Sequence, residues 1–387
     1  MSILLVEKNA QGLQAAVMHR GKLYAYCGES GALSEGQVFS AVADRVAKGI
    51  SAVFLRLPEK QTGFLPLSAQ EKAPASGQRL IVQVKRPPTA SKKALLTTDI
   101  ALAGDALVYL PQGRGVHVSS RIDQENVKAS LLAMGKQLNY LDGGVILRSA
   151  AVNRDLAALQ KELDTLRSRW QSIQAAAQQS APRLLWDGED SISLLLREER
   201  SRLEYVLTNA PESLPEDLPC PVKTCEHPFL LHTVQHWLER SLRRTVQLKS
   251  GATLVIDPCE AMTVIDVNSA QAAVGKDIGE TAEKINQEAA WEIARLLRLR
   301  GIGGMIVVDF IDLPTEAARQ RLLSVMREAL LEDPVKTTVH DITALGLMEL
   351  TRHRGQVPLS PLPDLPCPHC GGSGIELNPV EEDPIDA

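Results

Sequence analysis

The 387-residue sequence is poor in aromatic side chains, which make up 4% of it, and it contains no long hydrophobic run. With so few rings, stacking on nucleic-acid bases could involve only a few positions. No stretch approaches the roughly 18 uninterrupted apolar residues of a membrane span, and the N-terminus lacks the basic region of a secretory signal peptide. The sequence therefore predicts a cytoplasmic protein.

A large excess of charge is also absent, because the net charge is −5 and the mean hydropathy is −0.07. This balance argues against non-specific binding of nucleic acid by the whole surface, although a local basic groove is compatible with it. Six cysteines without a secretory signal are typical of reduced thiols, with a metal site at most. We expect Cys27 and Cys259 to be small buried residues. At about 150 residues per domain, the length predicts more than one domain.

Short apolar runs predict strands in the first hundred residues. Residues 1–30 alternate between apolar and polar side chains, which predicts a small antiparallel sheet. Five further runs follow within 34–98, separated by glycine and proline, and five short strands fit a small barrel of the oligonucleotide-binding kind. Apolar residues spaced by three and four then predict one long amphipathic helix over 152–180.

From residue 251 onward, predicted strands alternate with predicted helices, which indicates an α/β layer. Asp277 and Glu280 have the spacing of a capping box at the start of the first helix, and Gly301 ends that helix. The predicted strands are 253–256, 262–267, 305–310 and 336–339, and the second predicted helix is 315–332.

Acidic side chains close two of these apolar strands. Asp266 and Asn268 are two residues apart, so a strand places both on one face. Asp309 ends the next strand along the chain, and two carboxylates with an amide oxygen suit a hard cation such as Mg²⁺. Each residue alone could instead cap a turn, but their clustering with Glu260 favours a metal-dependent nuclease site acting on RNA. We expect Asp312 to lie just outside the metal ligands or to cap the following helix.

Basic residues gather in the same region of the chain. Arg298 and Arg300 close the first helix, where arginine also complements the helix dipole, and Lys336 follows the second helix. A solvated face would explain them equally well. Beside an acidic metal site, we predict that these three residues contact RNA phosphates.

The segment from Cys367 to Cys370 has the Cys-x-x-Cys spacing of a zinc knuckle and is followed by glycines. Structural Zn²⁺ takes four ligands, and this segment supplies two. The simplest completion is a second copy of the chain, so the sequence predicts a homodimer joined by one shared Zn²⁺. Cys220 and Cys225, spaced more widely in a proline-rich segment, are not favoured as ligands.

Long collinear motifs in the second half of the chain resemble the ribonuclease E/G family of bacterial endoribonucleases. The resemblance is strong over 245–375 and weaker towards the start. The motifs are EAMTVIDVNS at 260–269, IAR with LRLR at 293–300, GGMIVVDFID at 303–312, ALGLMELTR at 344–352 and the knuckle at 367–374.

The resemblance implies an α+β and α/β multidomain fold. Its expected parts are an RNase H-like subdomain at 1–33 and 184–242, an OB-fold RNA-binding domain at 34–98, a 5′-end sensor at 99–183, a DNase I-like catalytic subdomain at 243–360, the zinc-link knuckle at 361–375 and an acidic tail at 376–387.

The resemblance also implies an activity, Mg²⁺-dependent hydrolysis of single-stranded RNA within the chain by a metal-activated water. The products would carry 5′-phosphate and 3′-hydroxyl ends. The catalytic residues would be Asp266, Asn268 and Asp309, with Mg²⁺ on the two aspartates. Two other functions stay open: a non-catalytic RNA-binding regulator that keeps the fold, and a DNase or phosphatase on a similar metal site.

The implied RNA contacts lie in two earlier segments. A 5′-phosphate sensor would use Val118, Arg148 and Ser149, where serine replaces the threonine usual in the family. In the OB-fold segment, which diverges from the family pattern at 39–41 and 55–58, the RNA-facing residues would be Phe54, Phe64 and Lys92. Core packing is the alternative for the two rings. The sequence ends soon after the knuckle, so a dimer is expected rather than a tetramer.

Overall fold

The structure is a computed structural model that describes residues 2–353 apart from short gaps. The residues outside the description are 1, 11, 29–32, 48, 50, 69–72, 89–92, 121, 123, 141, 180, 189–190, 216–217, 219, 270–277 and 354–387. The predictions for Lys92, Asp277, Cys367 and Cys370 therefore lie outside the described residues.

Strands outnumber helices along the described part of the chain. The strands are β1 (Ser2–Asn9), β2 (Gly12–His19), β3 (Lys22–Cys27), β4 (Val38–Ala47), β5 (Ala52–Arg56), β6 (Thr62–Pro66), β7 (Arg79–Arg86), β8 (Ala94–Thr97), β9 (Leu102–Ala103), β10 (Leu107–Leu110), β11 (Gly115–Val118), β12 (Gly144–Leu147), β13 (Arg183–Trp186), β14 (Leu203–Thr208), β15 (Val222–Thr224), β16 (Thr245–Gln247), β17 (Thr253–Pro258), β18 (Met262–Asn268), β19 (Gly304–Asp309), β20 (Thr337–Ile342) and β21 (Leu347–Arg352). The helices are α1 (Glu125–Gly135), α2 (Leu156–Ala177), α3 (Ser191–Glu199), α4 (Pro228–Leu231), α5 (Val234–Leu242), α6 (Ile278–Leu299) and α7 (Glu316–Leu330).

The chain divides into two compact units, and the first comprises Met1–Arg20 and Gly28–Pro228. One sheet of this unit contains β15, β14, β1 and β2 in that order. β1 pairs antiparallel with β2, as the N-terminal alternation predicts, and parallel with β14. The parallel partner comes from about 200 residues later in the sequence, so local pattern alone could not identify it.

A closed five-stranded barrel follows in the same unit. β4 pairs with both β5 and β7, and β6 and β8 complete the circle, with β13 added alongside β4. Inward-facing side chains such as Val53, Leu55 and Leu96 are buried in its core. Gly63 is required where β6 approaches β8, because a Cβ at that position would lie 2.3 Å from Cδ1 of Leu96. The five-stranded barrel predicted for 34–98 is confirmed.

The remaining sheet of the first unit contains β11, β12, β10 and β9, packed with α1 and α2. The long helix is shorter than predicted, because residues 149–153 form a separate 3-10 turn. α2 begins after Asp155, whose carboxylate accepts a hydrogen bond from the backbone N–H of Ala158 at 2.7 Å. This N-cap satisfies a backbone donor that the first helical turn leaves unpaired.

The second unit comprises Gly21–Cys27 and the chain from Phe229 onward. Its sheet has the order β16, β17, β18, β19, β21, β20, and β18 and β19 run parallel. The buried side chains of this sheet form one hydrophobic cluster with α6 and α7. α6 ends as predicted at Gly301, which adopts a φ of +65°, while Ile302 donates to the carbonyl of Leu297 at 3.0 Å. The apolar patterns of the sequence predict neither β16 nor β21.

A buried ion pair holds β21 in this sheet. The guanidinium of Arg352 donates to both carboxylate oxygens of Asp333, at 2.7 and 3.1 Å, and to the carbonyl of Ile302 at 2.8 Å. The Arg352 and Asp333 side chains are only 1% and 2% exposed. Because β21 is the neighbour of β19, this pair supports the strand that ends at Asp309.

The six-part domain scheme stays a prediction, since the two compact units divide the chain more coarsely. Across the described residues, no helix combines the length and apolar character needed to cross a membrane.

Candidate active site: two carboxylates on adjacent strands

The candidate site is built on the exposed face of β18. Thr263, Ile265 and Val267 are buried, whereas Asp266 is half-buried and Asn268 is exposed. This period of two follows from strand geometry, in which successive side chains point to opposite faces of a sheet. Asp266 and Asn268 therefore share the face that does not enter the hydrophobic cluster.

The parallel pairing of β18 with β19 brings the two aspartates together. Asp266 and Asp309 are direct partners in the register, and each lies at the C-terminal end of its strand. Neighbouring strands lie about 4.8 Å apart, so the two carboxylates project side by side. Asp309 is exposed, which leaves the pair open to solvent and to a ligand.

Asn268 acts on this pair through its amide group. Its Nδ2 donates to Oδ2 of Asp266 at 2.6 Å, which orients the Asp266 carboxylate. The pattern of the sequence instead suggests that the amide oxygen contacts the cation. In the observed arrangement Asn268 positions a carboxylate, and its oxygen remains a further acceptor beside the same site.

The electrostatics of the site favour a cation. Although Asp309 is exposed, partial desolvation raises the pKa of its carboxyl, and repulsion from Asp266 and then Asp312 raises it further. Two adjacent carboxylates that destabilise each other's charge are stabilised by a divalent ion between them. Mg²⁺ commonly binds through one or two carboxylates, keeping several waters and substrate phosphates as its other ligands. The residues present therefore fit Mg²⁺. No group of three or more His, Cys, Asp and Glu side chains suited to a metal occurs among the described residues.

The expectation for Glu260 is wrong, and one of the two alternatives for Asp312 is excluded. Glu260 lies in the turn before β18, at the opposite end of that strand from Asp266, so it does not belong to the cluster. Asp312 does not cap α7, because Oγ1 of Thr315 accepts the N–H of Ala318 and is the N-cap. Asp312 is exposed and acts on Asp309 through its charge.

The three basic residues predicted to contact RNA phosphates differ in their surroundings. Arg298 is 5% exposed and donates to the carbonyl of Glu332, and Arg300 donates to the carbonyls of Ser241 and Arg243 at 2.7 Å each. Burial, with a smaller contribution from Arg295, lowers the pKa of Arg300 to about 10.

These contacts give Arg298 and Arg300 structural roles and argue against the direct phosphate contacts predicted for them, because their guanidinium groups already bond to backbone carbonyls. Lys336 is exposed and precedes β20. Through the pairing of Thr337 with Arg352 and of Arg352 with Gly304, it lies at the end of the sheet far from Asp309. It remains available to RNA only at a distance from the carboxylate pair.

The two phenylalanines predicted to face RNA lie outside the core of the barrel. Phe54 and Phe64 are register partners on β5 and β6, with ring centroids 5.9 Å apart and an interplanar angle of 64°. Both are half-exposed, and neither belongs to the buried cluster inside the barrel. Core packing therefore does not explain them.

Two cations that were not predicted from the sequence flank the Phe54 ring. The guanidinium carbon of Arg45 lies 5.2 Å from the ring centroid, and Nζ of Lys93 lies 5.4 Å from it. Two rings with adjacent positive charges form an outward-facing patch suited to bases and phosphates. Arg45 pairs with Phe54 in the register of β4 and β5. Aligning the alternating residues of these two predicted strands could therefore have identified Arg45.

The three predicted sensor residues lie at the ends of adjacent strands. Val118 ends β11 beside Leu147, the last residue of β12, and Arg148 and Ser149 follow directly. Nη1 of Arg148 donates to the carbonyl of Gly104 at 2.8 Å, and Ser149 is exposed at the start of a 3-10 turn. The structure thus brings the three residues together.

Among the cysteines, Cys27 is buried as expected, but Cys259 is exposed.

Comparison with known proteins decides the family. A sequence model of the Ribonuclease E/G family matches residues 101–355. The chain belongs to the ribonuclease E/G family. It is 31% identical to a ribonuclease E of Synechocystis over 97% of this chain and 60% of that protein. It is 33% identical to ribonuclease E of Escherichia coli over 88% of this chain and 35% of that protein.

A third relative is closer in length. The chain is 32% identical to ribonuclease G of Escherichia coli over 88% of this chain and 76% of that protein. The chain thus spans less than two thirds of the two ribonuclease E relatives and about three quarters of ribonuclease G. The family match includes both strands that carry the candidate carboxylates.

Proposed function

We propose that this protein is an endoribonuclease that hydrolyses single-stranded RNA in a Mg²⁺-dependent reaction at the Asp266–Asp309 pair. The observation that carries the proposal is the register of β18 and β19, which sets the two carboxylates side by side on an exposed face. Membership of a family whose named relatives are ribonucleases supports RNA as the substrate. We also place the protein in the cytoplasm.

Each residue of the site has a distinct part in this proposal. Asp266 and Asp309 would hold Mg²⁺, and Asn268 would orient the Asp266 carboxylate through its 2.6 Å hydrogen bond. A bound Mg²⁺ would offset the charge of the phosphate and favour deprotonation of water. The oxygen of water forms a bond to phosphorus while the bond to the 3′ oxygen breaks. The products therefore carry a 5′-phosphate and a 3′-hydroxyl.

Turnover of RNA by the purified protein separates this proposal from a non-catalytic RNA-binding regulator. We expect cleavage of a single-stranded AU-rich RNA with Mg²⁺ and none with EDTA. Binding without turnover under both conditions would favour the regulator. Cleavage of a DNA of the same sequence at an equal rate would favour a less selective phosphodiesterase.

We propose that the outward patch of the barrel binds RNA bases, and that Phe54 and Phe64 supply its stacking surface. Phe54→Ala and Phe64→Ala should each weaken RNA binding about tenfold, since stacking of a base on an aromatic ring contributes about 1–3 kcal/mol. Fluorescence anisotropy with a labelled single-stranded RNA measures the change. Tyr205→Ala is the matched control, because that ring also faces a cation, Lys223, in the same unit. An equal loss in the control would contradict the assignment.

We propose that Cys367 and Cys370 bind a structural Zn²⁺ together with the same pair from a second copy of the chain. Metal analysis should then give about one Zn²⁺ per two chains. Cys367→Ser combined with Cys370→Ser should yield monomers in sedimentation, whereas Cys220→Ser with Cys225→Ser should leave the dimer intact. A dimer that persists without zinc would refute the link.

We further propose that Val118, Arg148 and Ser149 form a pocket for a 5′-terminal monophosphate. Backbone and hydroxyl donors together with a guanidinium group suit a phosphate of this kind. The proposal is supported by the adjacent strand ends on which the three residues lie.

A further inference from the structure

Apolar side chains lie on the exposed face of the sheet immediately beside the carboxylate pair. Val264 and Met305 are 37% and 52% exposed. Val264 pairs with Val307, and the next pair on the same face is Asp266 with Asp309. At about 3.4 Å per residue, the two pairs are about 7 Å apart. We call Val264, Met305 and Val307 the apolar strip.

The hydrophobic core does not account for the apolar strip. The opposite face of the same strands supplies Ile265, Ile306 and Val308 to the buried cluster, so the sheet is already anchored. A contiguous apolar surface left exposed beside a polar site is typical of a surface that binds something. The apolar strip therefore lies on the face of the sheet that does not pack against the hydrophobic cluster.

Hydrogen-bonding groups border the strip on the next strands. Glu349 pairs with Val307, and Thr351 pairs with Met305. Nε2 of His340 lies 3.0 Å from Oγ1 of Thr351, which fixes the imidazole at this border. A ligand on the strip would therefore meet a flat apolar surface with polar groups along one edge.

We propose that the apolar strip binds an unpaired nucleobase next to the scissile phosphate. This inference rests on the proposed function and specifies how the same site selects its substrate. A nucleobase has two apolar faces and a polar edge, which matches the strip and its border. In a duplex those faces are covered by neighbouring bases, so only an unpaired base can lie on the sheet. The strip thus gives a physical reason for a single-strand requirement.

RNA fits the strip better than a second protein chain does. A protein covering the strip would also cover Asp266, Asp309 and Glu349, and burying three carboxylates without partners is costly. An RNA strand reaches the strip with its phosphate held at the carboxylate pair by Mg²⁺. The continuity of the strip with the candidate active site therefore favours RNA.

The test combines a protein variant with a modified RNA. Val264→Thr with Met305→Gln keeps side-chain size while making the strip polar. The substrates are a single-stranded RNA cut at one bond and the same RNA with an abasic nucleotide at each position flanking that bond. For the wild type, one abasic position should lower kcat/KM about tenfold, as expected from losing about 1.4 kcal/mol of apolar contact. The variant should cleave the intact RNA about tenfold more slowly and no longer distinguish it from that abasic RNA.

Control measurements keep this result separate from the proposed function. Leu331→Gln changes an exposed apolar residue directly after α7, which packs against the opposite face of the same sheet, and this variant should behave as the wild type does. Binding of both RNAs to the Asp309→Asn protein should still favour the intact RNA, because the strip contacts the base and base binding does not need turnover. If the strip variant slowed intact and abasic RNAs by the same factor relative to the wild type, the inference would be overturned. Dissociation of a dimer by the strip variant would also overturn it, by showing a protein interface.

Discussion

Asp266→Asn and Asp309→Asn should each slow RNA cleavage by about a thousandfold, equivalent to roughly 4 kcal/mol of transition-state stabilisation. Each change removes one of the two carboxylates that the register of β18 and β19 places side by side. A single aspartate with a neutral amide beside it attracts a divalent ion much less strongly. RNA binding should change little, since the base-stacking surface proposed for Phe54 and Phe64 lies on the barrel. Single-turnover cleavage of a short 5′-monophosphorylated RNA provides the measurement.

Asp312→Asn is the graded control for this prediction. It removes a charge that raises the pKa of Asp309 without removing a proposed ligand, so it should slow cleavage about tenfold or less. The site assignment fails if both ligand variants cleave at the wild-type rate. It also fails if Asp312→Asn is as slow as they are.

Arg352→Leu should lower the free energy of unfolding by about 3–5 kcal/mol, because it leaves the Asp333 carboxylate buried without its cation. The change also removes the hydrogen bond from Arg352 to the carbonyl of Ile302. Urea unfolding followed by tryptophan fluorescence measures the effect. The loss should appear in the second unit, which contains Trp237 and Trp291.

Two further variants test the cause of that loss. Arg244→Leu breaks a second bidentate arginine–aspartate pair, with Asp257, which is exposed rather than buried. Its unfolding midpoint should stay at the wild-type value, since exposed pairs contribute little. Arg352→Leu combined with Asp333→Leu should recover much of the stability, because no isolated charge remains buried. A double variant as unstable as the sum of the two single changes would contradict this explanation.

The fold could be predicted from sequence where the pattern is local. The barrel strands and the strands that carry the acids follow from short apolar runs between glycine and proline. β21 could not be predicted in this way, because its alternation of buried and exposed residues arises from its pairing with β19. The partner of β1 lies too far along the chain for any local signal.

The candidate site shows the same division. The shared face of Asp266 and Asn268 follows from the period of a strand, whereas the pairing of Asp266 with Asp309 depends on the register between strands. Arg298 carries a charge but is buried, and its guanidinium donates to the carbonyl of Glu332, a contact that the sequence does not reveal. Phe54 lies in an unbroken apolar run, from which sequence cannot tell core from surface.

Binding of Mn²⁺ as a spectroscopic substitute for Mg²⁺, measured by electron paramagnetic resonance, tests the central assignment most directly. It reports on the carboxylate pair without requiring turnover. The wild type and Asp312→Asn should bind an ion that Mg²⁺ displaces, and Asp266→Asn and Asp309→Asn should each lose it. Equal binding by all four proteins would contradict a metal site built on these two strands.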